Sequence, residues 1–260
     1  MTVWTVLSRF QALRVSDCLR LSGTGPDGRF GDRRPTIPRM TTAFASDALS
    51  TAQRWAADGR GYAFDFDGIP VQVRVRDEAA KIDLNAASFE LLQAFFVALG
   101  EPRAAPVRLA GAVVDWRDAD SLGQPGGGAE DPDYAAAGLA GGAKDAPFDS
   151  VAELEQVLGM RPALYAAAAP HLTVYSGRGQ PDAGVADPVV RAAMGLDAAA
   201  APLDADAPAP PGSGTYSIDS RARLTDGRST RLSVVMRMGG NGLPGSTYTT
   251  LHWQAEGAAK

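Results

Sequence analysis

Few of the residues that most often build cofactor and catalytic centres are available in this chain. Among its 260 residues there is one cysteine, Cys18, and two histidines, His171 and His252. A single cysteine excludes an intramolecular disulfide, and the thiolate metal patterns are absent. The two histidines are far apart and near no cysteine, so no zinc pattern is present. Neither stands beside a nucleophile motif, and there is no G-x-S-x-G. No run of about 18 apolar residues occurs, so no membrane-spanning helix is expected. The first twenty residues, broken by Ser8, Arg9, Arg14, Ser16 and Asp17, are too polar for a signal-peptide core. Charge is mildly acidic, with 25 basic and 30 acidic residues. Such a chain has no general attraction for nucleic acid or anionic lipid.

What is present suits one large domain or two small ones, with 45% hydrophobic residues to fill a core. Residues 1–40 read as a disordered or anomalous N-terminus, since Ser22–Pro38 is rich in Gly, Arg, Asp and Pro without hydrophobic period. Residues 41–81 read as a helix and a hairpin. The helix would span Thr41–Ala57 and end at Asp58-Gly59. In the hairpin, Tyr62, Phe64 and Phe66 alternate with smaller or polar residues. Asp67-Gly68 gives the turn, and Val71, Val73 and Val75 alternate with Gln72, Arg74 and Arg76. Residues 82–176 read as helical, with helices near Leu91–Leu99, Val107–Trp116, Val151–Leu158 and Pro162–Ala168. A Gly-rich loop from Asp118 to Pro147 interrupts them. Residues 177–214 read as a linker. Residues 215–260 read as a three-stranded antiparallel meander. The simplest arrangement is α+β, a single sheet made from both strand regions with the helical block inserted between them.

Three motifs stand out. Lys81-Ile-Asp83-Leu-Asn85-Ala-Ala-Ser88 reads as a helix start, with Ser88 as N-cap. Ser150 followed by Glu153 is a capping box, and Gly159 closes that segment. Between them lies Asp115-Trp-Arg-Asp118-Ala-Asp120, then Glu130-Asp131-Pro-Asp133-Tyr134 beyond a glycine stretch. Hard cations such as calcium take about six to eight oxygens from a flexible cage. Asp115, Asp118, Asp120, Glu130, Asp131 and Asp133 could supply them, although the offsets are not those of an EF-hand. A solvated acidic loop, with Asp118 and Asp120 as caps, explains the same composition, and the two readings remain open at this point.

The order of "KIDLNAAS", "VVDWRDAD…GGGAEDPDY", "APFDSVAELEQVLGM" and "LYAAAAPHLTVYSG" resembles that of the type II secretion system protein K family, from about Tyr62 to Gly177. The resemblance implies a pseudopilin-like antiparallel sheet with an N-terminal helix and an inserted α-helical domain. It implies a non-enzymatic minor pseudopilin that caps the pseudopilus tip and supports protein export across the outer membrane. Its partners would be the I-type and J-type minor pseudopilins, with exported proteins as further candidates. The resemblance also implies calcium in the inserted domain, with Asp118, Asp120, Glu130 and Asp131 as candidate ligands and Asp115 and Asp133 behind them. The location would be the inner membrane, with a periplasmic domain. The leader and apolar anchoring helix of the family are not found in this sequence. Membrane contact is therefore expected only if such a helix is missing, through a frame change or misplaced start upstream of about Thr41.

Three other readings use the same residues. A helix-hairpin-helix nucleic-acid binder would use the "LNAA" segment, but no basic face accompanies it. A carboxylate-metal-dependent hydrolase would use the acidic loop but needs an open coordination position and a nearby base. A glycosidase would use two of the same carboxylates, yet nothing marks a sugar cleft.

Overall fold

The computed structural model describes residues 56–66, 69–102, 104–197, 212–223, 227–238 and 248–256. The expected Thr41–Ala57 helix, the anomalous 1–40 region and the Asp67-Gly68 turn lie outside these residues or almost entirely so. The chain divides into two compact units. One is formed by the strands on either side of residues 77–202, and the other by residues 77–202 themselves.

The first unit is a five-stranded sheet in the order β1-β2-β5-β6-β7. β1 (Asp58–Phe66) and β2 (Ile69–Asp77) form an antiparallel hairpin in which Tyr62 faces Val73 and Phe64 faces Val71. The alternation of the sequence thus puts one apolar set on one face. Asp58-Gly59, expected to end a helix, instead belongs to β1. Gly59 has φ +85° where the ladder shifts register between Asp58 and Gly61, so the glycine serves a bulge rather than a helix terminus. β5 (Thr215–Arg223), β6 (Ser229–Met238) and β7 (Tyr248–Glu256) are the expected meander. Val71, Val73, Val75, Tyr216, Ile218, Leu232, Val234 and Met236 are buried together.

The second unit holds β3 (Ile82–Asp83), α1 (Phe89–Ala98), α2 (Ala105–Arg117), α3 (Asp131–Ala136), α4 (Pro162–Ala168), β4 (Leu172–Thr173) and α5 (Pro188–Ala193). Ser88 Oγ accepts the Leu91 amide at 3.3 Å, as N-cap logic requires. Leu91, Leu92, Phe95 and Phe96 follow at helical spacing and are buried in the core with Leu109, Val113, Trp116, Tyr134 and Leu154. Two departures from the sequence reading stand out. The segment after Ser150 is a 3₁₀ helix, Val151–Gln156, held by the Ser150 amide donating to Glu153 at 2.9 Å. The expected linker from 177 instead begins as part of this unit. Asp187 caps α5 by accepting the Val189 and Val190 amides, and Ala186, Val190 and Ala193 join the core. Gly, Pro and Asp around 177–187 concealed a helix only six residues long.

The sequence motifs meet because their polar groups tie backbone segments together. The Asn85 amide donates to the Phe148 carbonyl at 2.9 Å and accepts the Phe148 amide at 2.7 Å. Arg117 donates to the carbonyls of Leu84 and, at 2.6 Å, Ala87. Asp83 accepts the Asn85 amide at 2.9 Å, the Ser176 hydroxyl at 3.0 Å and the Gly177 amide at 2.7 Å. A hydrogen-bonded buried polar group avoids the desolvation cost of an unpaired one. "KIDLNAAS" is therefore a hub that holds the start of the third motif and the end of the fourth, besides starting a helix.

Candidate metal centre

α2 ends with the run Asp115-Trp116-Arg117-Asp118. Trp116 turns inward and lies 6.2 Å from the Tyr134 ring and 6.1 Å from the Phe148 ring, centroid to centroid. Asp115 is fully buried. It accepts the Ala129 amide at 2.6 Å and the Gln124 amide at 3.2 Å, so it draws the glycine loop back over the helix. That approach is close enough to demand glycine. A Cβ on Gly128 would overlap Asp115 Oδ2, and one on Gly111 would overlap the Gly127 carbonyl oxygen.

Asp118 sits at the C-cap of α2 and Glu130 immediately before α3. One carboxylate oxygen from each of Asp115, Asp118 and Glu130 comes within 4.8 Å of the others. Three anions this close repel one another. Burial raises the pKa of Asp115, with Asp118 adding to the effect while the Ala129 and Gln124 amides oppose it. Burial raises Asp118, reinforced by Asp120 and opposed by Arg117. Burial also raises Glu130, reinforced by Asp115, Asp118, Asp145 and Asp120.

Among the described residues, Asp118 Oδ1 and Glu130 Oε1 find no hydrogen-bond partner although both atoms are buried. Leaving a carboxylate oxygen buried and unpaired is costly. Both unpaired oxygens belong to the same triad. The donor set fits a hard cation, being all oxygen and negatively charged. It does not fit zinc, because no histidine or cysteine belongs to it. Asp115, Asp118 and Glu130 are the side chains that would hold the cation.

The six candidate carboxylates thus divide. Asp115, Asp118 and Glu130 converge. Asp120 accepts the Leu122 amide at 2.9 Å in a local turn, and Asp133 accepts the Glu130 amide at 3.0 Å as the returning half of a cap. Asp131 opens α3 beside Gly142, where a Cβ would meet its carboxylate. Sequence reasoning passed over Asp145. It acts electrostatically on both Asp118 and Glu130 and has φ +53°, the one positive φ of a non-glycine residue among those described. Its only sequence signal is an aspartate just ahead of Ala-Pro, which is compatible with that backbone but not diagnostic of it. Sequence reasoning also passed over the role of Tyr134, whose hydroxyl accepts the Leu158 amide at 3.1 Å.

Among the described residues no helix is long and apolar enough to cross a membrane. Residues 73–177 match the family described as type II secretion system (T2SS), protein K. No curated protein matches the sequence. The fold is similar to that of a chain in the crystal structure of the GspK-GspI-GspJ complex from the enterotoxigenic Escherichia coli type 2 secretion system. That chain is 17% identical over 80% of this chain and 89% of its own length, with a TM-score of 0.58.

Proposed function

We propose that this chain, whose residues 73–177 match the type II secretion system protein K family, caps the tip of a pseudopilus as a minor pseudopilin and supports protein export. The observation that carries this reading is the coincidence of the family match with the second part of β2 and most of the second unit, where the four sequence motifs are tied to one another. The role is structural, an assembly surface rather than a catalytic one. The two units belong in the periplasm on this reading.

The partners we propose are the I-type and J-type minor pseudopilins, by analogy with the complex that contains the similar fold. The periplasmic parts of the three proteins, mixed in equal amounts, should co-elute in size-exclusion chromatography with a mass equal to the sum of one copy of each. Three separate peaks at micromolar concentration would reject the assignment.

We further propose that Asp115, Asp118 and Glu130 hold calcium. Neutralising three mutually repelling carboxylates and giving partners to Asp118 Oδ1 and Glu130 Oε1 supports this reading. Calcium should raise the melting temperature of the chain, and by more than magnesium does. Substituting Asp118→Ala together with Glu130→Ala should abolish the increase. An unchanged midpoint on calcium addition would remove calcium from the account and leave the assembly role standing.

A further inference from the structure

The segment between α2 and the 3₁₀ helix is secured differently at its two ends. At its far end Lys144 Nζ donates to Asp149 and Glu153, each at 2.7 Å, and to the Pro147 carbonyl at 2.8 Å. That end is held by opposite charges. At the near end Asp115 accepts the Gln124 and Ala129 amides, but the charged groups brought together there, Asp115, Asp118 and Glu130, are all of one sign. Glu130 also directly precedes α3. Tyr134 lies one helical turn further on and is buried against Trp116. Its hydroxyl takes the Leu158 amide just beyond the 3₁₀ helix. A short rigid path therefore runs from the carboxylate triad to the turn at 157–160.

We propose that docking of the 118–147 segment depends on a divalent cation, with Tyr134 as the latch that carries the state of the triad to Leu158. The proposal rests on the cation reading above. With the three carboxylates uncompensated, repulsion works against the Glu130 position and so against the first turn of α3. The Lys144 end stays attached, and the near end lifts. With the charges compensated, Glu130 holds its place, α3 is set, and Tyr134 reaches Leu158. Leu122, 76% exposed, and Leu139, 48% exposed, lie on this segment, so its docking also fixes where two large apolar side chains are displayed.

Hydrogen exchange of the full chain, read by mass spectrometry with calcium and with a chelator, tests this, alongside calorimetric titration of calcium. We expect calcium to slow exchange of amides in 119–143 and at Leu158 by tenfold or more, with residues 144–150 little changed. Tyr134→Phe should keep the calorimetric heat but lose most of the protection at Leu158. Heat of binding with unchanged exchange in 119–143 overturns the docking proposal while leaving the cation site intact. Protection at Leu158 that responds equally in Tyr134→Phe overturns the latch. No heat of binding overturns both the site and the docking.

Discussion

The sheet unit and the inserted helical unit solve the same problem with different means. The sheet buries one face of alternating residues, with Val73 and Val234 almost fully enclosed, and its polar groups largely pair within the strands. Its sequence carries eight basic and six acidic residues over 56–76 and 212–256. The helical unit has an apolar core too, but its segments are short and fixed by side chains that reach across to distant backbone. Over 77–197 it carries eight basic and eighteen acidic residues. An excess of that size works against compaction unless it is neutralised or spread out. The difference teaches where the vulnerabilities lie: in packing for the sheet, and in packing, cross-ties and charge compensation for the helical unit.

The largest expected effect is common to both units and tests whether they are separate cooperative bodies. Phe95→Ala should cost about 3–5 kcal/mol and Met236→Ala about 2–5 kcal/mol, since both leave cavities in closed cores. Hydrogen exchange should place each loss mainly in the unit that holds the substitution. Equal loosening of both units by either variant would end the comparison.

Removing divalent cations should affect the helical unit alone. At a calcium concentration a hundredfold above the dissociation constant, the stabilisation forgone is about 2.7 kcal/mol. Exchange protection in β5, β6 and β7 should not move. A matching drop in the sheet would mean that the cation acts elsewhere.

Asn85→Ala removes both hydrogen bonds to Phe148 and leaves that backbone amide and carbonyl without them. The expected cost is about 1–3 kcal/mol, measured by denaturant unfolding. If the loss stays within a few tenths of a kcal/mol, the cross-tie is not what holds the third motif in place.

The smallest effect is a pH dependence. Burial pushes the Glu153 pKa up, but the Lys144 ammonium and the amides of Asp149 and Ser150 outweigh it and hold the group below its ordinary value. A carboxylate with a lowered folded pKa contributes stability that is complete above its unfolded pKa, about 4.3, and is lost as pH falls through the folded value. The pair is partly exposed to solvent, so the contribution is at most about 1 kcal/mol. Glu153→Gln should lower stability at pH 7 and flatten the acid limb of the unfolding profile. An identical acid limb would assign that loss to other carboxylates.

The strands were legible because period-two alternation is a strong signal, and both hairpin faces in the sequence are the faces observed. The caps at Ser88 and Ser150 were legible because their geometry is local. Less was visible where the outcome depends on distant partners. α3 and α5 are six residues each and sit in stretches rich in Gly, Ala, Pro and Asp, so neither has enough turns to show a period. The parallel pairing of Ile82 with Leu172 joins residues ninety positions apart, and two residues per strand leave no pattern to read. At the acidic loop the sequence supplied six candidates at similar spacing. Only three-dimensional closure separates the converging triad from Asp120 and Asp133, which serve the local backbone, and from Asp131 at the start of α3.

The small β3–β4 ladder has a consequence for how the chain could have come to be organised. The Leu84 amide donates to the Thr173 carbonyl at 2.8 Å, and the Asp182 amide to the Ala79 carbonyl at 2.7 Å, so the first residues of the helical unit are tied to residues 173–182 of the same unit. Within the sheet, β2 and β5 are neighbours, with Ser217 Oγ donating to the Arg76 carbonyl at 3.5 Å. An insertion between two strands that are themselves neighbours can be gained, lost or exchanged without redrawing the order of the host sheet. The helical unit is in that sense a cassette. A short turn in its place would leave the order β1-β2-β5-β6-β7 unchanged, and the helical unit has a buried core of its own.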